Sequence, residues 1–261
     1  MEWLESFVLG LVQGLTEFFP VSSSGHLVMM QELLGFEPGG GIVFEVAVHV
    51  ATLVAILIFY KKSVVRLTVG TFTGQADAWR YVGKLAVGTL PAIAVALLAR
   101  ELIETLFESP IVAGLMLLIT GFIVWSTRYT IAGGQATEPT WRNALLIGCA
   151  QAFAILPGIS RSGSTVAAAL ALGMAPAAAA EFSFLLGVVA ISGAAVLLLP
   201  ELGNADEALI TYIAVGGISA LISGLAALAA FVWFLKTKRF YAFAWYCWIV
   251  GGGFIAWLIL R

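Results

Sequence analysis

Apolar residues run along this chain in long blocks separated by short polar stretches, and the block lengths predict its elements. A bilayer core about 30 Å thick needs about 20 apolar helical residues to cross it. Six blocks meet or approach that length, roughly 42–60, 81–99, 111–127, 177–199, 208–234 and 241–260. Four more are short or broken, roughly 3–19, 22–34, 141–156 and 162–173. These four fall in two pairs, each interrupted by proline and small polar residues. The first interruption is Pro20-Val21-Ser22-Ser23-Ser24-Gly25 and the second is Pro157-Gly158-Ile159-Ser160-Arg161-Ser162-Gly163. Two half-length helices joined at such a break predict a re-entrant hairpin, because non-helical backbone at membrane depth is tolerated only inside protein or beside a cavity. The predicted fold is an all-α polytopic membrane protein, with six full transmembrane helices plus two re-entrant helical hairpins.

Composition narrows the class further. The chain is 61% hydrophobic and 11% charged over 261 residues, against about 45–50% apolar and about 25% charged in a soluble domain. So few charges cannot cover a soluble surface, and the same balance excludes a disordered chain, a collagen and a disulfide scaffold. A net charge of −2 sets aside a basic nucleic-acid binder, so no nucleic-acid partner is expected. Cys149 and Cys247 both lie inside apolar runs and suggest neither a disulfide framework nor a metal cluster. Glu2 and Glu5 stand where a signal peptide would carry a basic region, so none is expected.

The few charges are sorted. Lys61, Lys62, Arg66, Arg80, Lys84, Arg128, Arg142, Lys236, Lys238 and Arg239 fall in alternate loops or at the block ends that border them, and make up ten of the 13 Lys and Arg. The intervening loops hold Glu101, Glu104 and Glu108, then Glu201, Asp206 and Glu207. Basic loops stay cytoplasmic. With the four short stretches read as two hairpins, every loop obeys that rule. The N-terminus, the first hairpin and the C-terminus are then outside, and the second hairpin enters from the cytoplasm.

A shift of 138 residues superimposes the hairpins. Gly10 meets Gly148, Gln13 meets Gln151, Ser22 meets Ser160, Ser24 meets Ser162, Gly25 meets Gly163, and Val28 meets Val166. Leu34-Gly35, Pro38 and Phe44 meet Leu172-Gly173, Pro176 and Phe182, giving ten identities over 35 positions. The whole chain reads as one membrane domain of two repeats, about 1–130 and about 139–261, each a hairpin followed by three spans. Three crossings put the second repeat on the opposite side, the inverted topology of transporter folds. The two breaks would then meet near the midplane.

That meeting point carries the chemistry. Gln13 and Glu17 are four apart on the first half-helix and share a face. Ser22 or Ser23 can cap the second half-helix, and His26 lies one turn further on the same face. In the second hairpin Ser160 can cap, and Arg161 and Thr165 are four apart. Two helix N-termini with free N–H groups form an anion site, to which Arg161 adds a bidentate donor for phosphate or carboxylate. A central Arg or Asp costs about 2.5–3.5 kcal/mol to insert, so such residues usually mark function. A structural Glu17–Arg161 pair locking the hairpins is the plainer alternative. Ser24 and Ser162 read as small residues for close helix packing. A Glu, a His, serines and an Arg around an anion suit phosphoryl transfer or hydrolysis, which is mostly positioning and charge stabilisation. The chain has no P-loop, GxSxG, HExxH or kinase signature.

At these residues the chain resembles the bacterial undecaprenyl-diphosphate phosphatase family of the bacitracin-resistance type. The family's first motif, (E/Q)-x-x-x-E then P-x-S-S-x-G-H, reads Gln13 to Glu17, then Pro20, Ser22, Ser23, Gly25 and His26. Its second, P-G-x-S-R-S-x-x-T, reads Pro157, Gly158, Ser160, Arg161, Ser162 and Thr165. The resemblance covers essentially the whole chain. It implies hydrolysis of a C55-isoprenyl diphosphate to the monophosphate, aided by Mg²⁺ or Ca²⁺, at a site open to the outer face of the bacterial plasma membrane. It also implies recycling of the lipid carrier for peptidoglycan, bacitracin resistance and a homodimer. Many members have Glu where this chain has Gln13, which leaves Glu17 as the certain carboxylate for the cation, helped by Gln13. Glu45 is a second candidate acid, or else a solvated residue at the outer interface.

The expected roles follow. Arg161 clamps the diphosphate, and Ser22, Gly158, Ser160 and Thr165 with Gln13 contact phosphate. His26 acts as general acid or base. Ser23 is a nucleophile activated by His26, or a phosphate ligand beside an attacking water. The lipid tail needs an apolar groove, for which the gap beside the first hairpin is a natural place. The rival class is a transporter that carries or flips a lipid phosphate at the same midplane site.

Overall fold

A computed structural model of the chain describes residues 3–34, 41–202 and 207–261. Its first half contains α1 (Trp3–Phe18), α2 (Ser23–Leu34), α3 (Gly41–Phe59), α4 (Lys61–Phe72), α5 (Ala76–Leu98), α6 (Arg100–Phe107) and α7 (Pro110–Thr130). The second half contains α8 (Trp141–Phe153), α9 (Arg161–Ala171), α10 (Pro176–Leu202), α11 (Glu207–Lys236) and α12 (Phe243–Leu260). Among the described residues, five helical stretches are long and apolar enough to cross a membrane: 76–98, 110–130, 176–193, 209–236 and 240–260. The sixth expected span corresponds to α3, which qualifies only together with α4 across an 83° bend. The protein is thus a helical, multi-pass membrane protein.

Two stretches expected as loops are helices. Lys61, Lys62 and Arg66 lie on α4, where the sharp bend keeps these charges from following the axis of α3. Glu101 and Glu104 lie on α6, where Arg100 Nε donates to Glu104 Oε1 at 2.8 Å one turn on.

The surface of the protein is apolar as well as its core. Leu98 is 87% and Ile249 72% exposed, as suits side chains that face hydrocarbon. Inside, Phe18, Phe184, Phe231 and Phe240 are wholly buried and stack edge to face with ring centroids 4.9–5.7 Å apart. Helix α1 packs on α11, α8 on α5, α3 on α10 and α7 on α12. Glycines allow the closest of these approaches. A Cβ on Gly10 would overlap the backbone of Gly216, and one on Gly148 would overlap that of Gly88. Small residues at helix crossings serve this purpose in membranes, where packing rather than hydrophobicity drives association.

The two breaks, between α1 and α2 and between α8 and α9, are built alike. Each bends through a left-handed residue, Ser22 at φ 65° in the first and Gly158 at φ 95° in the second. Each then caps the next helix. Ser22 Oγ accepts from the Gly25 N–H at 3.2 Å, and Ser160 Oγ accepts from the Gly163 N–H at 3.1 Å. A cap of this kind satisfies one of the donors that every helix start leaves free. The breaks also touch, for a Cβ on Gly25 would lie 2.8 Å from Gly158 Cα, and Ser162 Oγ donates to the Phe19 carbonyl at 3.3 Å. Thr120 on α7 ties the second break, donating to the Gly158 carbonyl at 2.7 Å and accepting from the Ser160 N–H at 3.0 Å.

Candidate active site

The two breaks enclose a cavity of about 390 Å³ lined by Glu17, Ser22, Ser23, Ser24, Ser160 and Arg161, with His49 from α3 and Phe107 and Ile155 on the apolar side. Glu17 is its hub. One carboxylate oxygen accepts from Arg161 Nη2 at 2.5 Å. The other accepts from Ser23 Oγ at 2.7 Å and from Gln13 Nε2 at 3.3 Å, and lies 3.8 Å from His49 Nε2. The pair joins residues 144 positions apart, so it holds α1 to the start of α9.

The guanidinium has its own housing. A Cβ on Gly187 of α10 would overlap Arg161, so glycine there makes the room. Arg161 Nη2 is taken by Glu17, while Nη1 is buried with no hydrogen-bond partner. Nη1 lies against Gly187, and the guanidinium as a whole brings a buried positive charge to the edge of the cavity, which suits an anionic ligand. The starts of α2 and α9 reach the same cavity and add positive dipole ends.

Not every expected site residue arrives there. His26 faces the other way. Its Nδ1–H donates to the Ser22 carbonyl at 2.8 Å, and its Nε2 meets the Tyr246 hydroxyl at 2.8 Å. The ring stacks on Tyr246 at 5.6 Å, so both nitrogens are engaged outside the Glu17 cavity. Thr165 is buried and donates to the Arg161 carbonyl at 2.7 Å, beside Ser183. Gly158 gives its carbonyl to Thr120. Gln13 is buried behind Glu17, with Nε2 on the carboxylate and Oε1 without a partner. Ser24 Oγ and Ser22 Oγ are 3.3 Å apart, as Ser162 and Ser160 are at 3.2 Å. Glu45 accepts from Gln31 at 3.2 Å, and its carbonyl accepts from His49 Nδ1–H at 2.7 Å. His49, Thr120 and Tyr246 enter the account only through the fold, since no local motif marks them.

Among the described residues no three His, Cys, Asp or Glu come together as a metal cage. The Glu17 carboxylate and the orphaned Gln13 Oε1 are the oxygen donors that a hard cation prefers. They fit a cation that takes its remaining oxygens elsewhere.

Fold and cavity together define a helical membrane protein in which the buried Glu17–Arg161 cluster is suited to a phosphate-bearing ligand. A family model described as bacitracin resistance protein BacA matches residues 6–253, and the chain belongs to that family. It is similar to the undecaprenyl-diphosphatase of Desulfatibacillum aliphaticivorans, 39% identical over 268 residues covering 96% of this chain and 97% of that one. It is 40% identical over 278 residues to the undecaprenyl-diphosphatase of Desulforapulum autotrophicum, covering 98% and 100%. The undecaprenyl-diphosphatase of Methanosphaera stadtmanae is 34% identical over 270 residues, covering 96% of each.

Proposed function

We propose that this chain hydrolyses undecaprenyl diphosphate to undecaprenyl phosphate and inorganic phosphate, returning the lipid carrier to cell-wall synthesis and conferring bacitracin resistance. The observation that carries the reading is the hydrogen bond of Ser23 to a carboxylate that is also paired with Arg161. Nucleophile, proton acceptor and anion clamp occupy one cavity.

The terminal phosphate enters between the starts of α2 and α9. Arg161 binds it through the guanidinium and supports charge that develops as the bond breaks. Ser23 Oγ attacks the terminal phosphorus, its proton passes to Glu17, and the bond to the bridging oxygen breaks to release the lipid monophosphate. Water then attacks the phosphoserine, the bond from phosphorus to Ser23 Oγ breaks, Glu17 returns its proton to that oxygen, and phosphate leaves carrying the hydrogens of the water. The 2.7 Å Ser23–Glu17 contact favours this covalent route over direct attack by water. Glu17 takes the proton-accepting role here because His26 is held by Ser22 and Tyr246. His26 positions the first turn of α2. Thr165 and Gly158 position Arg161 and the second break rather than touching phosphate. Mg²⁺ or Ca²⁺, held by Glu17 and Gln13 and completed by diphosphate oxygens, would neutralise phosphate charge.

The same reading includes a topology of six spans and two re-entrant hairpins in an inverted repeat, about 1–130 and about 139–261. The pairing of α1 with α11 and of α8 with α5 supports it, because the 138-residue offset exchanges the two pairs. Basic α4 on the inner side and acidic α6 on the outer side support a cavity open outward from the plasma (inner) membrane of a bacterium. A homodimer rests on the family resemblance alone. The repeat also keeps open a lipid-phosphate flippase using the same cavity. Purified protein in detergent tests hydrolysis apart from flipping, since transport needs two compartments. Release of phosphate from undecaprenyl diphosphate that a chelator suppresses is the expected result, and no release overturns the reading.

A further inference from the structure

Two apolar grooves border the polar cavity, and a substrate with one prenyl tail needs one of them. The first lies between α5, α6 and α8, measures about 420 Å³, and is lined by Pro91, Val95, Leu102, Leu106, Phe153 and Ile155 among others. The second lies between α1, α2 and α12, measures about 440 Å³, and includes Leu15, Phe19, Met30, His26 and Tyr246.

The character of the junction with the cavity distinguishes them. Ile155 lines both the first groove and the Glu17 cavity. On either side of that shared wall, Phe107 and Ala154 face the cavity while their neighbours Leu106 and Phe153 face the groove. The second groove instead meets the cavity at the polar Thr16 beside Glu17, and its lining includes the hydrogen-bonded pair His26 and Tyr246, 2.8 Å apart. The second groove thus joins the cavity at a hydroxyl, and the first joins it along its apolar side, at Ile155 beside Phe107 and Ala154. Its cover is also separable. Helix α6 has no buried residue, with Leu102, Ile103 and Leu106 toward the groove and the Arg100–Glu104 pair exposed.

We infer that the α5–α6–α8 groove receives the first prenyl units of the lipid diphosphate, with Ile155 as the hinge point between headgroup and tail and α6 as the covering helix. This rests on hydrolysis of a prenyl diphosphate in the Glu17 cavity. The tail enters from the side of α6, its proximal units exchange lipid neighbours for a close-packed apolar wall, and its remainder lies in the bilayer.

Cys149 supplies the probe, because it lines this groove and is exposed while Cys247 is buried. In detergent, undecaprenyl phosphate should slow maleimide labelling of Cys149 severalfold, and inorganic pyrophosphate should not. Equal labelling with and without the lipid, or equal protection by pyrophosphate, overturns the groove. Kinetics provide a second measurement. Cys149→Trp should raise KM for undecaprenyl diphosphate at least tenfold more than for a short-chain prenyl diphosphate, and Met30→Trp in the other groove should show no such chain-length difference. The reverse pattern assigns the tail to the second groove and overturns the inference. Should the wild type release phosphate from neither substrate, the hydrolase reading fails instead. If Cys149→Trp does not fold, the labelling of the wild type decides.

Discussion

The two helix breaks share a construction and differ in chemistry. Both turn through a left-handed residue and cap the next helix with a serine that accepts from the N–H three residues on. The side chains at matching positions then diverge. At the 138-residue offset, Glu17 corresponds to Ile155, Ser23 to Arg161, His26 to Ser164 and Thr16 to Ala154. The first break thus brings an acid and a hydroxyl, and the second brings a cation and an apolar wall. A symmetric pair of breaks would make a symmetric anion hole. The divergence makes a polarised cavity, with an acid and a hydroxyl on one side and an apolar wall on the other. Gln13 shows the same split, since it reaches Glu17, while its counterpart Gln151 is buried with neither side-chain polar atom partnered.

Breaking the comparison at its strongest contrast should have the largest effect. Arg161→Ala removes the clamp and leaves Glu17 buried without its cation, and removing one member of a buried pair costs about 3–5 kcal/mol. Activity should fall by several orders of magnitude in a phosphate-release assay. Glu17→Ala should be comparable. The double variant should recover thermal stability relative to either single one but no activity, because a purely structural pair would recover both.

Ser23→Ala comes next. It should lose at least about a hundredfold in kcat, as removal of a group acting in the transition state does, while the unfolding temperature moves little. Under the covalent route, rapid quenching of the wild type should trap phosphoserine at Ser23, and its absence would favour attack by water. His26→Gln should cost about 1–2 kcal/mol, the scale of one hydrogen bond, and should not add to Tyr246→Phe. A loss as large as that of Ser23→Ala would return His26 to the chemistry. The smallest effect is expected for Gln13→Glu, which adds a carboxylate beside Glu17. It should tighten binding of Mg²⁺ measured by calorimetry in the absence of substrate.

Much of this was legible in the order of residues. The helices and both breaks follow from apolar lengths and from Pro20 and Pro157, because a chain in lipid must satisfy its own backbone. The Glu17–Arg161 encounter follows from the repeat. The orientation of His26 does not. A three-residue helical step leaves its side chain about 60° from that of Ser23, enough for a long ring to turn to the other side of α2, where Tyr246 is waiting 220 positions away. His49 was equally invisible, since only the packing of α3 brings it within 3.8 Å of Glu17. Helices α4 and α6 were missed because both are short and polar on one side, so neither resembles a span.

The most direct test is phosphate release from undecaprenyl diphosphate by purified wild type and Arg161→Ala, both checked for folding. The account predicts steady release by the wild type and near-complete loss in the variant. A folded Arg161→Ala protein that retains wild-type activity would contradict the assignment of this cavity as the active site.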